Sequence, residues 1–126
     1  MSLCILAFDP GGTTGWACSQ NQHGQLEPWE VWTFLTYHRP LHLVVESFLR
    51  AVSPNRDLTP VKVIGVIEEW ARQNEIPITF QTPSQAKHFF TDERLKERGV
   101  YYKGEQHARD AARHLLYFQT FGEGIK

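Results

Sequence analysis

One stretch constrains this chain more than any other. It is an apolar run that ends on an acid and breaks at once into a glycine turn: Leu3-Cys4-Ile5-Leu6-Ala7-Phe8-Asp9-Pro10-Gly11-Gly12-Thr13-Thr14-Gly15-Trp16. The run reads as a short buried strand, and Pro-Gly-Gly as the turn that ends it. Asp9 then stands at the mouth of a strand, where a carboxylate faces out of the core and the glycines let a ligand approach the backbone. A turn-opening Asp that caps its own loop carries the same signature. This stretch alone leaves Asp9 open between the two.

The bulk numbers narrow the class. At 126 residues, 41% hydrophobic and 21% charged, the chain is expected to form one domain, 1–126, with a real core. No apolar run approaches the length of a membrane span, and no positively charged lead precedes the first apolar segment, so a soluble intracellular protein without a membrane partner is expected. Cys4 and Cys18 fall in apolar, strand-like surroundings and read as free buried thiols, without a zinc signature. The net charge of −1 gives no global signal for nucleic acid, although such a footprint depends on where the charges lie.

Taken in order, 14–19 reads as a second strand, 20–24 as a polar hairpin loop, and the aromatic-rich 27–34 as a third strand. The run Leu41-His42-Leu43-Val44-Val45-Glu46 is near-continuously apolar, fits a central strand covered on both faces, and again ends on an acid. After an irregular segment bearing Arg50 and Arg56, Thr59-Pro60 caps an amphipathic helix over 60–74, with Val63, Ile64, Ile67, Trp70 and Ala71 at helical spacing. A short strand at 77–81, parallel to the Glu46 strand, leads into Thr82-Pro83-Ser84-Gln85. That is a capping box for a short helix carrying Lys87 and His88. A further short helix is expected over 91–98.

The last helix, 105–118, buries Ala108, Ala111, Leu115 and Phe118 and turns Arg109 and Arg113 nearly opposite. His107, Asp110 and His114 line one margin of that stripe, either as a metal edge or as an ordinary solvated face. The order β-β-β, then β-α-β, then helices, is an α/β fold with a mixed sheet. If the Asp9 and Glu46 strands are parallel neighbours, their carboxylates emerge side by side, and the last helix can bring Asp110 and His107 over them. Three carboxylates in so small a volume repel unless cations neutralise them. Hard oxygen donors favour Mg²⁺ or Mn²⁺ over zinc. Two such ions, about 4 Å apart, are suited to phosphodiester hydrolysis.

Four blocks, Asp9-Pro10-Gly11-Gly12-Thr13-Thr14-Gly15-Trp16, Val44-Val45-Glu46-Ser47-Phe48, Thr82-Pro83-Ser84-Gln85-Ala86-Lys87 and His107-Ala108-Arg109-Asp110-Ala111-Ala112-Arg113-His114, occur in the order seen in RuvC-like Holliday-junction resolvases, which the chain resembles along nearly its whole length. The likeness is strongest to the short phage-borne members. The resemblance implies an RNase H-like fold, three antiparallel strands then parallel ones, flanked by helices. It implies an endonuclease that cuts branched DNA, four-way junctions above all, with two Mg²⁺ or Mn²⁺ ions, as a homodimer in the cytoplasm of a bacterial or phage-infected cell. Residue by residue, it implies Asp9, Glu46 and Asp110 as carboxylate ligands, His107 as the fourth ligand, and Lys87 near the scissile phosphate.

The chain departs from the family in two respects. With 27–34 read as a strand, only 35–41 separates it from the Glu46 strand, so a helix common in the family is shortened or absent there. The chain is also nearly neutral, although Arg50, Arg56, Lys87, Arg94, Lys96, Lys103, Arg109 and Arg113 could ring an acidic centre. Phe48 reads either as a wedge between unstacked bases or as a core residue. Among rivals, the Asp-x-Gly-x-Thr turn also resembles the phosphate loop of sugar-kinase and actin-like ATPases, which need two such domains and a much longer chain. An RNase H-type activity on RNA–DNA hybrids and a non-catalytic nucleic-acid-binding relative complete the alternatives.

Overall fold

A computed structural model describes residues 4–47 and 57–122; Phe48, Arg50 and Arg56 lie outside the described residues. The first strand, β1 (Ile5–Asp9), leads through the glycine turn into β2 (Thr14–Cys18), and a hairpin returns the chain as β3 (Gln22–Leu26). A 3₁₀ turn (Pro28–Glu30) and helix α1 (Val31–His38) carry it to β4 (His42–Glu46). Then come α2 (Thr59–Asn74), β5 (Ile78–Gln81), α3 (Pro83–Phe89), α4 (Asp92–Glu97) and α5 (Gln106–Phe121). The sheet order is β3-β2-β1-β4-β5, antiparallel from β3 to β1 and parallel from β1 to β5.

Strand parity divides the core between the two faces. Leu6 and Phe8 of β1 and Leu43 and Val45 of β4 pack against Val31 and Leu35 of α1 and Val63, Ile67, Trp70 and Ala71 of α2. The alternate residues, Ala7, Ala17 and Val44, meet Ala111, Ala112 and Leu115 of α5. Small residues on both sides let α5 lie close to the sheet. Closest is Gly15, where an added Cβ would stand 2.5 Å from the Ala108 nitrogen and closer still to the His107 carbonyl. Cys4 and Cys18 are both buried, as expected.

Three expectations are corrected. The third strand is not 27–34 but Gln22–Leu26, inside the segment expected as a loop; the reversal is confined to three residues, with Asn21 at a φ of 63°. Polar residues are tolerated there because β3 is an edge strand, and Gly24 is needed because a Cβ would meet the Trp16 indole nitrogen at 2.8 Å. The segment 27–34 turns helical instead. Glu27 and Glu30 form a capping box with Pro28 in the first turn, and Val31 and Leu35, one turn apart, bury against the sheet. Helix α1 is thus the connection expected to be shortened or absent. Third, Arg113 does not point to solvent: it is 7% exposed, because α3 and the turn into α4 cover that flank of α5.

The cap at Thr82 stands as read: Thr82 Oγ1 accepts from the Gln85 amide and Gln85 Oε1 from the Thr82 amide. Thr91 caps α4 in the same way, its Oγ1 accepting from the Arg94 amide. At α2 the helix begins with Thr59 itself, and Asp57 Oδ1 accepts from both the Thr59 amide (2.9 Å) and hydroxyl (2.6 Å). No helix among the described residues is long and apolar enough to cross a membrane.

Candidate functional site

Parity places the acids. Asp9 follows Ala7 on the α5 face of β1, Glu46 follows Val44 on the same face of β4, and Gln81 pairs with Glu46 from β5. Phe8 is level with Val45, so Asp9 and Glu46 sit side by side at the carboxyl ends of two parallel neighbours. Beyond Asp9 the loop is tied by Thr14, whose hydroxyl accepts from the Gly11 amide (3.2 Å) and donates to the Gly11 carbonyl (3.0 Å). Thr14 therefore does the loop-capping work that could have fallen to Asp9. Asp9, 7% exposed, engages α5 instead: His107 Nδ1 and Asp9 Oδ2 are 3.0 Å apart.

Helix α5 crosses these strand ends with Asp110, 8% exposed, one turn beyond His107. The His107 amide donates to Gln25 Oε1 (3.1 Å) and pins the start of the helix to β3. Lys87, on α3, is near enough to bias both Asp9 and Glu46 toward ionisation. The structure therefore brings together Asp9, Glu46, His107, Asp110 and Lys87. Other basic candidates lie to the side: Lys96 and Arg109 pack over the Tyr101 ring, and Arg94 over Phe89.

Four residues take roles here that the sequence does not assign: His114, which it places only on the margin of the α5 stripe, Arg113, which it offers only as one of the basic residues around an acidic centre, Gln81 and Gly15. His114 is 1% exposed; its Nε2 donates to Glu46 Oε1 (2.9 Å), and its Nδ1 lies 2.8 Å from Gln81 Oε1. Arg113 spends its whole guanidinium fork inside the protein: Nε donates to Asp110 Oδ1 (3.1 Å), one terminal nitrogen to the Phe90 carbonyl (2.5 Å), and the other to Asp92. Gly15 is the fourth. A glycine inside a strand signals close backbone approach, and that signal was available; the roles of Gln81, His114 and Arg113 depend on packing that no local pattern encodes.

Electrostatics separates the two strand-end acids. Burial drives the Asp9 carboxyl up to about 9, with the charge and hydrogen bond of Glu46 and the charge of Asp110 adding to the rise, and Lys87 opposing it. Burial alone would raise Glu46 as well. The hydrogen bond and charge of His114, the hydrogen bond to Asp9 and the charge of Lys87 outweigh it and hold Glu46 low. One carboxyl of the pair stays ionised and its neighbour keeps a proton, as expected when two buried acids share a volume without a cation. Among the described residues no three acidic, histidine or cysteine side chains are grouped so as to hold a metal ion as they stand. Each instead occupies a protein partner: His107 for Asp9, His114 for Glu46, Arg113 for Asp110. Hard carboxylate oxygens and one half-exposed imidazole are the donor types that Mg²⁺ or Mn²⁺ would take.

The strand order, the mixed pairing and the terminal helix over the central strand ends define an RNase H-like fold. Within that class, the chain is similar to Thermus thermophilus RuvC in complex with Holliday junction substrate, with a TM-score of 0.73 and 16% identity over 95% of this chain and 94% of that one. A second Thermus thermophilus RuvC structure gives a TM-score of 0.67 at 16% identity, over 95% of this chain and 97% of that one. No protein-family model and no curated protein sequence matches the chain.

Proposed function

We propose that this protein is a divalent-metal-dependent endonuclease that hydrolyses phosphodiester bonds in branched DNA, four-way junctions above all. The observation that carries the reading is the convergence of Asp9, Glu46 and Asp110 at the ends of β1 and β4 beneath α5. The likeness of the fold to a RuvC structure holding a Holliday junction supports the choice of substrate. Asp9, Glu46, Asp110 and His107 would hold two Mg²⁺ or Mn²⁺ ions. Bound there, such ions supply Lewis-acid activation of water and of the phosphodiester.

The chain's own groups do the rest. Asp9, buried and protonated beside Glu46, would have to give up its proton to serve as an anionic donor to a cation. The Lys87 ammonium, on a helix held by the Thr82 cap, offsets negative charge growing on the phosphate as water adds to phosphorus and the ester oxygen leaves. Two symmetric cuts in a junction need two such sites, and a homodimer supplies them. The test is nicking of a labelled four-way junction with Mg²⁺ or Mn²⁺, beside linear duplex, flap and RNA–DNA hybrid. Preference for the junction is expected; exclusive cutting of the hybrid would move the reading to an RNase H-type activity, and no cutting of any substrate would overturn it.

A further inference from the structure

The last two turns of the site on α5 hold the clamps rather than the ligands. Asp110 is followed at i+3 by Arg113 and at i+4 by His114, and each of these reaches a different acid. His114 takes Glu46 Oε1 and is itself fixed through its second nitrogen by Gln81, which pairs with Glu46 across β4 and β5. The ring is 1% exposed and Gln81 is 0% exposed, so neither can swing to solvent. Arg113 takes Asp110 Oδ1 with its other donors committed to Phe90 and Asp92. Each clamped carboxylate therefore has one oxygen held by a buried, immobile donor, and Glu46 also accepts from the Asp9 carboxyl as long as Asp9 keeps its proton.

We infer that His114 and Arg113 are positioning residues that hold Glu46 and Asp110 as one-oxygen donors, and that this hold selects a small octahedral cation over Ca²⁺. The physical reason lies in coordination. Mg²⁺ and Mn²⁺ suit six-coordinate sites built from single oxygens, whereas Ca²⁺ takes six to eight oxygens and gains from carboxylates that bind through both. A carboxylate whose second oxygen accepts from a buried, immobile donor cannot turn to offer both. Groups that orient metal ligands in this way commonly matter ten- to a hundredfold in affinity. The inference rests on the metal-dependent reading above and extends it to the choice of ion.

The experiment is calorimetric titration of the protein with Mn²⁺ and, separately, Ca²⁺, without DNA, for the wild type, His114→Gln and His114→Leu. Glutamine keeps a donor where Nε2 stood; leucine fills the space and keeps none. The preference for Mn²⁺ over Ca²⁺ should fall by about tenfold or more in His114→Leu and stay within about threefold of wild type in His114→Gln. An unchanged ratio in the leucine variant, or an equal fall in both variants, overturns the inference. Should the leucine variant fail to fold, the wild type labelled with ¹⁵N-histidine decides. The His114 Nε2 proton must remain protected from solvent exchange when Mg²⁺ is added; its loss means Glu46 has released the clamp, and the inference falls. If the wild type takes up neither ion, the metal-dependent reading falls and the clamp with it; if ions bind but the ratio ignores His114, the clamp alone is wrong.

Discussion

Replacing Gly15 by alanine is the sharpest test of how the site is built. The new Cβ would lie 2.5 Å from the Ala108 nitrogen and nearer still to the His107 carbonyl. Ordinary contact needs about 3.5 Å, so the start of α5 has to retreat by about 1 Å or more. Gly15 lies in mid-sheet, between β1 and β3, and cannot yield in the opposite direction. Overpacking of this kind costs about 1–3 kcal/mol, which for a chain of this size lowers Tm by about 4–15 °C. The retreat carries His107 away from Asp9, now 3.0 Å distant, and tilts Asp110 away from the strand ends. A displacement of about 1 Å among positioned groups can cost about a hundredfold in rate. The assay is thermal unfolding of the metal-free protein beside single-turnover cleavage of a junction. A Gly15→Ala protein with wild-type Tm and wild-type cleavage would refute the reasoning, because α5 would then not depend on that gap.

Three further outcomes are expected. Asp9→Asn should abolish cutting and leave metal-free junction binding intact, read by cleavage and by gel shift, since a ligand is lost while the protonated Asp9 carried no charge for the substitution to remove. The same variant tests the linkage. Because the Asp9 carboxyl titrates higher in the folded chain than in the unfolded one, the native state holds the extra proton, and metal-free stability should decline as pH rises between about 4 and about 9. Thermal melts of Asp9→Asn should show a flatter decline over that range. Lys87→Ala should lower the saturated single-turnover rate by about ten- to a hundredfold with little change in affinity; weaker affinity at an unchanged rate would make it a backbone contact. Cutting should require Mg²⁺ or Mn²⁺ and be suppressed by Ca²⁺, and full cleavage in excess chelator would contradict that.

The parts of the fold legible in the sequence were those where a local pattern and its three-dimensional use coincide. Two apolar runs ending on Asp9 and Glu46 could be recognised as strands, their pairing as parallel neighbours being a condition that the structure meets, and the Thr82 capping box could be recognised as the start of the helix bearing Lys87. The stretch around Trp29 and Trp32 misled because aromatic content favours strands, while the burial that decides its shape is the one-turn spacing of Val31 and Leu35. Strand β3 was hidden for the opposite reason, since an edge strand carries polar residues that look like a loop. On α5 a helical wheel orients residues against the helix's own apolar stripe only. It gives no account of α3 and the turn into α4, which enclose Arg113, or of β4 and β5, which receive His114.

The bond between Asp9 and His107 joins residues 98 positions apart, and α5 follows every other described element in the chain. During synthesis the five strands and the first four helices can emerge and pair before that helix exists. The acidic centre is then an open edge of sheet, lacking Asp110, His107 and both clamps. Contacts of such separation close late, because the loop entropy is lost before they form. In a partly made or partly opened molecule the strand-end acids therefore lack, by topology alone, every residue that α5 brings to them.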